Sequence, residues 1–98
     1  MPLGKPRYPF TPKMVDGAPG DAGVYILYRG TRVLYIGRAT DIRARLREHG
    51  DGTVCECSKA ATHYSWEIVL QPRVRELELL QEQLDRGSGL PPCNAHSA

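Results

Sequence analysis

Residues 23–37 carry two short apolar runs with a turn between them, and each run places a tyrosine close to a glycine. The runs, 24–28 and 32–36, are rich in β-branched and aromatic residues, which favour strands. The intervening residues 29–31 include a glycine, which suits a tight hairpin turn. Apolar side chains occur on both faces of each run. The segment therefore predicts a β-hairpin that is covered on both sides, and such a hairpin needs a third strand.

The remainder of the sequence predicts two helices and that third strand. Thr40 or Asp41 can cap a short helix, which a Gly-rich stretch ends. A polar loop then leads to an apolar strand over 63–70. Pro72 can begin a second helix. We expect the apolar stripe of this helix to pack on the sheet: Val74, Leu77, Leu80 and Leu84. The predicted order is ββα-loop-βα, an α/β fold of the α+β type with helices packed on an antiparallel sheet.

Proline recurs in the N-terminal part of the chain, with five prolines in the first 22 residues. This composition predicts an extended arm over residues 1–18, in which Thr11 and Pro12 can begin one short helical turn. A single domain is expected over residues 19–94, followed by a frayed tail over 95–98. A chain of 98 residues is long enough for one small core without obligatory disulfides or metals.

The charge distribution is strongly asymmetric, although the net charge is only +2. Residues 1–47 hold nine Lys and Arg against three Asp and Glu, whereas residues 48–98 hold four against eight. Six arginines fall on the predicted hairpin and first helix: Arg29, Arg32, Arg38, Arg43, Arg45 and Arg47. They predict one basic surface suited to a polyanion. The alternative is a solvated helix face.

The three cysteines are an odd number, and no N-terminal stretch has the basic start and apolar core of a signal peptide. An intracellular, cytoplasmic protein with reduced, partly buried thiols is expected, and no apolar run is long enough for a membrane span. A zinc site is the alternative interpretation, with these candidate ligands: Cys55, Cys57, His63, Cys93 and His96. It is disfavoured because one residue, not two to four, separates the first two cysteines.

The sequence GVY, nine residues, YIG and then a helix with Arg45 and His49 resembles the GIY-YIG nuclease family. The similarity extends over about residues 19–94 and rests on several ordered elements. It implies an α/β sandwich around a three-stranded antiparallel sheet, in agreement with the order of elements above. It also implies a metal-dependent endonuclease that hydrolyses phosphodiester bonds of nucleic acid, with DNA as the expected substrate.

Tyr25 ends the first motif and Tyr35 begins the second. They share a face of the sheet if the hairpin loop has an odd length, and a three-residue loop ending at Gly30 is the odd loop favoured here. From the residues alone, two core tyrosines with bonded hydroxyls are the simpler interpretation. The resemblance instead implies that both tyrosines point into an active site.

Arg45 and His49 are four residues apart, so they stack on one face of the first helix about 6 Å apart along its axis. The simpler interpretation is a solvated arginine and a histidine at the helix C-terminus. The resemblance implies that both are active-site residues, with Arg45 stabilising the charged phosphate. Arg38, directly after YIG, is expected to contact phosphate or solvent, and Arg43 and Arg47 are the further candidates for binding nucleic acid.

A divalent cation is implied as the cofactor, with Mg²⁺ expected and Mn²⁺ as the alternative. The second helix offers three carboxylates as ligands: Glu76, Glu78 and Glu82. In the family one glutamate of this helix is followed three and four residues later by apolar residues. This selects Glu76, because Leu79 and Leu80 follow it. A solvated acidic face explains the other two.

The mechanism implied is phosphodiester hydrolysis with one metal ion at Glu76. Tyr25 would position or deprotonate the attacking water, assisted by Tyr35 and His49. A tyrosine pKa near 10 makes a poor base at neutral pH, so positive charge would have to lower that pKa. Asn94 corresponds to an asparagine that often closes the domain in relatives, here at a longer spacing.

Two other functions remain open. A domain that binds nucleic acid without cutting it would keep the arginine surface but misplace the glutamate. A structural or zinc-binding adaptor would depend on the cysteines and use the tyrosines as core. No targeting module is evident in the sequence, so a protein partner is expected to supply specificity.

Overall fold

The computed structural model describes residues 7–52, 56–87 and 89–96. In chain order the elements are β1 (Tyr8–Pro9), α1 (Pro12–Val15), β2 (Gly23–Arg29), β3 (Arg32–Ala39), α2 (Ile42–Asp51), a 3-10 helix (Glu56–Ala60), β4 (His63–Ile68), α3 (Pro72–Asp85) and α4 (Pro92–His96). The predicted ββα-loop-βα order is confirmed, with short elements added at each end. Within the described ranges no helix combines the length and apolarity that crossing a membrane requires.

The four strands form one antiparallel sheet in the order β1-β4-β2-β3. The three predicted strands are confirmed, and β1 adds a fourth because Tyr8 pairs with Tyr64. From Tyr8 onward the expected N-terminal arm is therefore packed on the sheet, whereas residues 1–6 lie outside the described part. Thr11 caps α1 as expected. Val15 and Ala18 are buried in the core, which explains why this segment does not extend into solvent.

The hairpin turn contains two residues, Gly30 and Thr31, instead of the three expected. Gly30 has a φ of +62°, which suits the first central position of a II′ turn. A two-residue turn alone would place Tyr25 and Tyr35 on opposite faces of the sheet. The loop length expected from the sequence is therefore wrong.

A β-bulge in β3 returns Tyr25 and Tyr35 to the same face of the sheet, which the two-residue turn alone would not do. The register shifts at Leu34, which is an extra residue in β3. Beyond it Tyr35 pairs with Leu27, and Gly37 pairs with Tyr25. Directly opposed residues share a face. The prediction that the two tyrosines lie on one face is confirmed, and its cause is the bulge.

Each face of the sheet carries its own apolar core, as expected from the hairpin sequence. On one face α2 buries Ile42 and Leu46 against the tyrosines of the hairpin. On the other face α3 packs through Leu79 and Leu80. Asp41 caps α2 by accepting a hydrogen bond from a backbone N–H of its first turn. The result is a sandwich in which β2 is covered on both sides.

The apolar stripe predicted for α3 is confirmed at Leu80 and wrong at its other three positions. Val74, Leu77 and Leu84 are 49%, 57% and 48% exposed, whereas Leu79 is buried. Leu80 packs against the same core as Leu79. Leucines occur on several sides of this helix, so their spacing alone does not identify the side that packs.

The C-terminal segment forms α4, which includes residues 95 and 96 of the predicted frayed tail, whereas residues 97–98 lie outside the described part. Cys93 in α4 is fully buried and forms a disulfide with Cys57 of the 3-10 helix, with their Cα atoms 5.6 Å apart. The expectation of reduced thiols is therefore wrong for these two cysteines. They lie 36 residues apart in sequence, and the fold brings them together. Cys55 lies outside the described residues.

Asn94 of α4 binds the exposed edge of β3. Its side-chain oxygen accepts a hydrogen bond from the N–H of Ile36 at 2.8 Å, and its amide nitrogen donates one to the C=O of Ile36 at 2.9 Å. A backbone group at a sheet edge needs such a partner or water. The asparagine therefore holds the YIG strand in place from the side on which the described residues provide no neighbouring strand.

Candidate active site

The glycines of the two motifs permit close packing around the tyrosines. A Cβ at Gly37 would lie 2.6 Å from the hydroxyl of Tyr25 and 2.7 Å from a ring carbon of Tyr35. A Cβ at Gly23 would overlap the backbone carbonyl of Glu67. Both positions therefore require glycine, and Gly37 lets the two rings lie directly over the backbone of β3.

Tyr25, Tyr35 and His49 form one aromatic cluster between the hairpin and α2. The ring centroids are 6.0 Å apart for the two tyrosines, 5.3 Å for Tyr25 and His49, and 4.8 Å for Tyr35 and His49. Tyr25 and His49 are fully buried, whereas Tyr35 is 9% exposed. The fold thus brings three of the candidate residues together, and Tyr35 is the one that keeps some contact with solvent.

Both ring nitrogens of His49 have hydrogen-bond partners. Nε2 lies 2.7 Å from the hydroxyl oxygen of Tyr25, and Nδ1 lies 2.7 Å from Oγ of Ser58. A neutral imidazole has one N–H donor and one acceptor nitrogen, so one of these hydroxyls donates to the ring and the other accepts from it. His49 therefore connects Tyr25 to Ser58, and it is not the solvent-facing residue that a helix end would allow.

The pKa values of this cluster are set mainly by burial. Burial raises the pKa of Tyr25 well above its ordinary value, and Tyr35 adds to the rise, while the charge of Arg45 acts in the opposite direction. Burial lowers the pKa of His49 to about 4, and Arg45 acts in the same direction. Tyr25 and His49 are both neutral at pH 7. The positive charge invoked above to lower the tyrosine pKa is present, but burial outweighs it.

Arg45 links the buried cluster to the surface. Its positive charge is close enough to act on the pKa of Tyr25, and Tyr25 raises the pKa of Arg45 in return. Its side chain is 42% exposed. Its Nη1 lies 3.3 Å from Oε1 of Glu48, an exposed pair of the kind that contributes little. A guanidinium has five N–H donors, so Arg45 can bind a further anion from this position.

Glu76 lies on the face of the sheet opposite the tyrosines, beside Arg38 near the end of β3. It lies one turn before Leu79 and Leu80, which pack on the sheet, and its side chain is 16% exposed. Its Oε1 lies 2.6 Å from Nη1 of Arg38. Because Arg38 directly follows Gly37 in β3, its side chain points away from the face that carries the tyrosines. The candidate residues therefore form two groups on opposite faces of the sheet.

One groove is lined by the arginine that contacts each group. It has a volume of about 260 Å³, and its lining includes Arg38, Arg45 and two carboxylates that have partners of their own. Glu48 pairs with Arg45, and Asp41 caps α2.

Arg38 forms an ion pair with Glu76 on one face of the sheet. Arg45 lies near Tyr25 on the other face, where the two residues affect each other's pKa. Two guanidinium groups in one groove favour an oxyanion such as phosphate.

Comparison with solved structures finds the GIY-YIG N-terminal endonuclease domain of UvrC from Thermotoga maritima. That domain bound to its catalytic magnesium ion gives a TM-score of 0.62 at 25% identity, with 71% of this chain and 85% of that chain covered. A variant of it with an asparagine replaced by alanine gives 0.63 at 24% identity, over 71% and 84%. The chain has the fold of this GIY-YIG domain. No protein-family model matches the sequence, and no curated protein matches it.

The arginines of this chain do not form the single basic surface expected from the sequence. Arg29 and Arg32 face each other at the hairpin turn, about 20 Å along β3 from Arg38. Of the six arginines considered, Arg38 and Arg45 line the groove. The basic surface is thus divided between the two ends of the hairpin.

Arg43 and Arg47 both contact the N-terminal segment. The Nε of Arg43 donates to the carbonyl of Ala18 at 2.7 Å. Nη2 of Arg47 lies 2.7 Å from Oδ1 of Asp16. These contacts help to hold the segment before β2 against α2, a role that the sequence analysis missed. A role in binding nucleic acid stays a prediction for both residues.

The three candidate glutamates of α3 have different surroundings. Glu78 is 58% exposed and lies 3.3 Å from Arg75. Glu82 lies 3.9 Å from Arg86 and lines a separate pocket near the hairpin turn. Glu76 is the one bonded to an arginine of the groove. This geometry favours Glu76 as the metal ligand, which stays a prediction.

The residues present fit a magnesium-type cation better than zinc. In the described part of the chain, no three His, Cys, Asp or Glu side chains cluster in a way that could hold a metal. Two of the candidate zinc ligands, Cys57 and Cys93, are joined in a disulfide. Mg²⁺ commonly takes one or two protein carboxylates and completes its shell with water and phosphate. A single carboxylate at Glu76 suits that pattern.

Ser58 is a residue of this site that sequence reasoning missed. It is fully buried and bonded to His49, although it lies in a segment read as a polar surface loop. Nothing in the local sequence distinguishes it from the other small polar residues of that loop. Its role depends on how the 3-10 helix packs against α2, which is a tertiary property.

Proposed function

We propose that this chain is a metal-dependent endonuclease of the GIY-YIG type that hydrolyses phosphodiester bonds of DNA. The observation that carries the proposal is the groove lined by both Arg38 and Arg45. The first is bonded to the Glu76 carboxylate, and the second lies near Tyr25 and acts on its pKa. One end of the sheet therefore offers an anion site, a ligand for a hard cation and hydroxyl groups.

Glu76 is the residue that would hold the cation. Carboxylate oxygen is the donor that Mg²⁺ and Mn²⁺ prefer. When bound, the cation would act as a Lewis acid on the phosphate and stabilise the leaving oxygen. Arg38 binds the same carboxylate in this structure, and its half-exposed side chain also lines the groove.

The remaining residues would bind the phosphate and orient the nucleophile. Arg45 would donate two parallel hydrogen bonds to the scissile phosphate and stabilise its charge during the reaction. Tyr35, which keeps some exposure, would orient the attacking water through its hydroxyl. Tyr25 would hold His49 and Arg45 in position and would not act as the base, because its raised pKa keeps it protonated.

DNA is the proposed substrate class, and the groove supports recognition of phosphate without recognition of bases. Guanidinium contacts to backbone phosphates fix position but carry no sequence information. We therefore expect little sequence preference from this domain alone. Specificity would come from an attached domain or a protein partner.

Cleavage of supercoiled plasmid by the purified protein tests the proposal. We expect nicked and linear products with Mg²⁺ or Mn²⁺ and none with EDTA. Glu76→Gln should be inactive even in excess metal, since an amide is a weaker ligand for a hard cation. Glu78→Gln and Glu82→Gln on the same helix should cut as the wild type does.

Three results would contradict parts of the proposal. DNA binding without cleavage in any cation would favour the non-cutting domain over the enzyme. An inactive Glu78→Gln together with an active Glu76→Gln would show that the ligand assignment on α3 is wrong. Equal cleavage of a single-stranded RNA would contradict the preference for DNA.

A further inference from the structure

Two residues that support the candidate site directly follow the two disulfide cysteines in the chain. Ser58 follows Cys57 and bonds Nδ1 of His49. Asn94 follows Cys93 and bonds the edge of β3 within the YIG motif. The disulfide therefore ties the 3-10 helix to α4 at the two points from which the site is supported.

The hydroxyl of Ser58 is placed to fix the tautomer of His49. Both residues are fully buried, so water does not compete for this bond. If Ser58 accepts from Nδ1–H, then Nε2 has no proton and accepts from the Tyr25 hydroxyl. Loss of the Ser58 bond would leave either tautomer accessible, and the orientation of the Tyr25 hydroxyl would no longer be set.

The segment that carries Ser58 is short. The 3-10 helix has five residues, and such helices have poorer hydrogen-bond geometry than α-helices. Its packing against α4 includes the disulfide between the buried Cys93 and the partly exposed Cys57. The covalent link thus fixes the position of the backbone next to Ser58.

We propose that Ser58 is a positioning residue for His49 and that the Cys57–Cys93 disulfide holds Ser58 in place, so that reduction of the disulfide lowers turnover. The inference rests on the proposed nuclease function. In the reduction, a dithiol supplies two electrons and two protons, the S–S bond breaks to give two thiols, and the dithiol is oxidised to its own disulfide. Oxidation by a disulfide reagent reverses the step.

Ser58→Ala in the oxidised protein tests the first half of the proposal. We expect kcat to fall roughly 10-fold with KM little changed, since a buried acceptor or donor loses its partner. Ser58→Thr keeps a hydroxyl and should restore most of the turnover. Ser65→Ala is the matched control, because Ser65 is equally buried and bonds the Tyr28 hydroxyl at 3.0 Å on the other face of the sheet. An equal loss in Ser65→Ala would overturn the proposal in favour of general destabilisation.

Reduction with dithiothreitol tests the second half. Circular dichroism and thiol titration would verify that the reduced protein is folded and carries the additional free thiols. We expect wild-type kcat to fall roughly 10-fold, towards that of Ser58→Ala. The same reduction should change Ser58→Ala little, because the disulfide acts through Ser58. If reduction lowered kcat by the same factor in the wild type and in Ser58→Ala, the proposal that the disulfide acts through Ser58 would be overturned.

A readout independent of catalysis separates this inference from the proposed function. The ¹⁵N chemical shifts of the His49 imidazole should report one tautomer in the oxidised wild type and a mixture in Ser58→Ala and in the reduced protein. If the oxidised wild type cut no nucleic acid, the proposed nuclease function would be refuted. The spectra would still test whether Ser58 positions His49. Spectra that neither Ser58→Ala nor reduction changes would overturn the positioning role.

Discussion

Nη1 of Arg38 lies 2.6 Å from Oε1 of Glu76 and pairs the basic residue after YIG with the carboxylate proposed as metal ligand. The pair joins a half-exposed cation to a carboxylate that is 16% exposed. A divalent cation at Glu76 competes with Arg38, and a displaced Arg38 becomes free for a phosphate. Metal and DNA should therefore favour each other's binding, because such coupling is reciprocal.

Arg38→Ala removes the competitor for the Glu76 carboxylate. We expect Mn²⁺ to bind roughly threefold to fivefold more tightly, as the loss of an exposed ion pair allows, while DNA binds more weakly. Isothermal titration with Mn²⁺ in the absence of DNA measures the first effect. Arg32→Ala at the distant hairpin turn is the control and should leave Mn²⁺ affinity unchanged. Equal Mn²⁺ affinity in the wild type and Arg38→Ala would contradict the competition.

Arg45→Lys keeps the positive charge but loses the planar fork that gives a phosphate two parallel hydrogen bonds. Turnover should fall roughly 100-fold or more, as on removal of an oxyanion donor, while DNA affinity changes little. Single-turnover plasmid cleavage and DNA titration measure the two effects. Arg47→Lys is the control: Arg47 lies two residues after Arg45, on a different side of α2, pairs with Asp16 and should keep full turnover. Full activity of Arg45→Lys would exclude a bidentate phosphate contact.

The lowered pKa of His49 makes stability depend on pH. His49 has a pKa of about 4 in the folded protein against 6.5 ordinarily. Between these values the unfolded chain binds a proton that the folded protein does not, so stability falls as the pH drops. We expect a loss of about 1.5 kcal/mol between pH 6.5 and 5 from this residue. Urea unfolding at each pH measures it.

His49→Gln provides the control for the pH effect. Glutamine cannot titrate, so this part of the pH dependence should disappear. His63→Gln should keep it, because His63 lies at the start of β4, away from the buried cluster. The same slope in the wild type and His49→Gln would mean that other groups cause the pH dependence.

Gly37→Ala should disturb both tyrosines at once. The new Cβ would lie under 3 Å from each ring, so the rings must shift, which costs about 1–3 kcal/mol of stability in an overpacked core. Turnover should fall with it. Gly20→Ala is the control, because its nearest neighbour is 3.8 Å away. Thermal unfolding and cleavage assays compare the two variants. An unchanged Gly37→Ala would refute the close packing described.

DNA affinity should fall steeply with salt. Each phosphate neutralised on duplex DNA contributes about −0.9 to the slope of log K against log salt. Arg45→Ala should reduce the slope by about 0.9, whereas Arg47→Glu should change it less because Arg47 is paired with Asp16. Fluorescence anisotropy at several salt concentrations measures the slope. Salt-independent binding would contradict the phosphate contacts.

Elements with strong local signals could be predicted from the sequence. Asp41 and Pro72 mark the starts of α2 and α3 where capping and φ preferences place them. The shared face of Tyr25 and Tyr35 was predicted from the wrong loop length. The bulge at Leu34 that produces it depends on packing on both faces of the sheet, and a single strand sequence does not reveal that.

Contacts between distant segments could not be predicted. Ser58 bonds His49 and Cys57 bonds Cys93 only after the loop and the C-terminal segment have folded onto the sheet. The site residues were identified because they belong to short motifs with fixed spacing, as in the pair Arg45 and His49. The side of α3 that packs on the sheet could not be identified from the sequence, because Leu77 and Leu79 are equally apolar. In the structure Leu79 is buried and Leu77 is exposed.

Asn94 gives the sheet a boundary. An open edge strand can recruit a peptide or a second copy of the chain by adding another strand, and it is a starting point for aggregation. By occupying both backbone groups of Ile36, the asparagine closes the middle of β3 to such additions. A partner that binds by adding a strand must therefore avoid this part of β3, and the YIG segment is protected from intermolecular β-pairing.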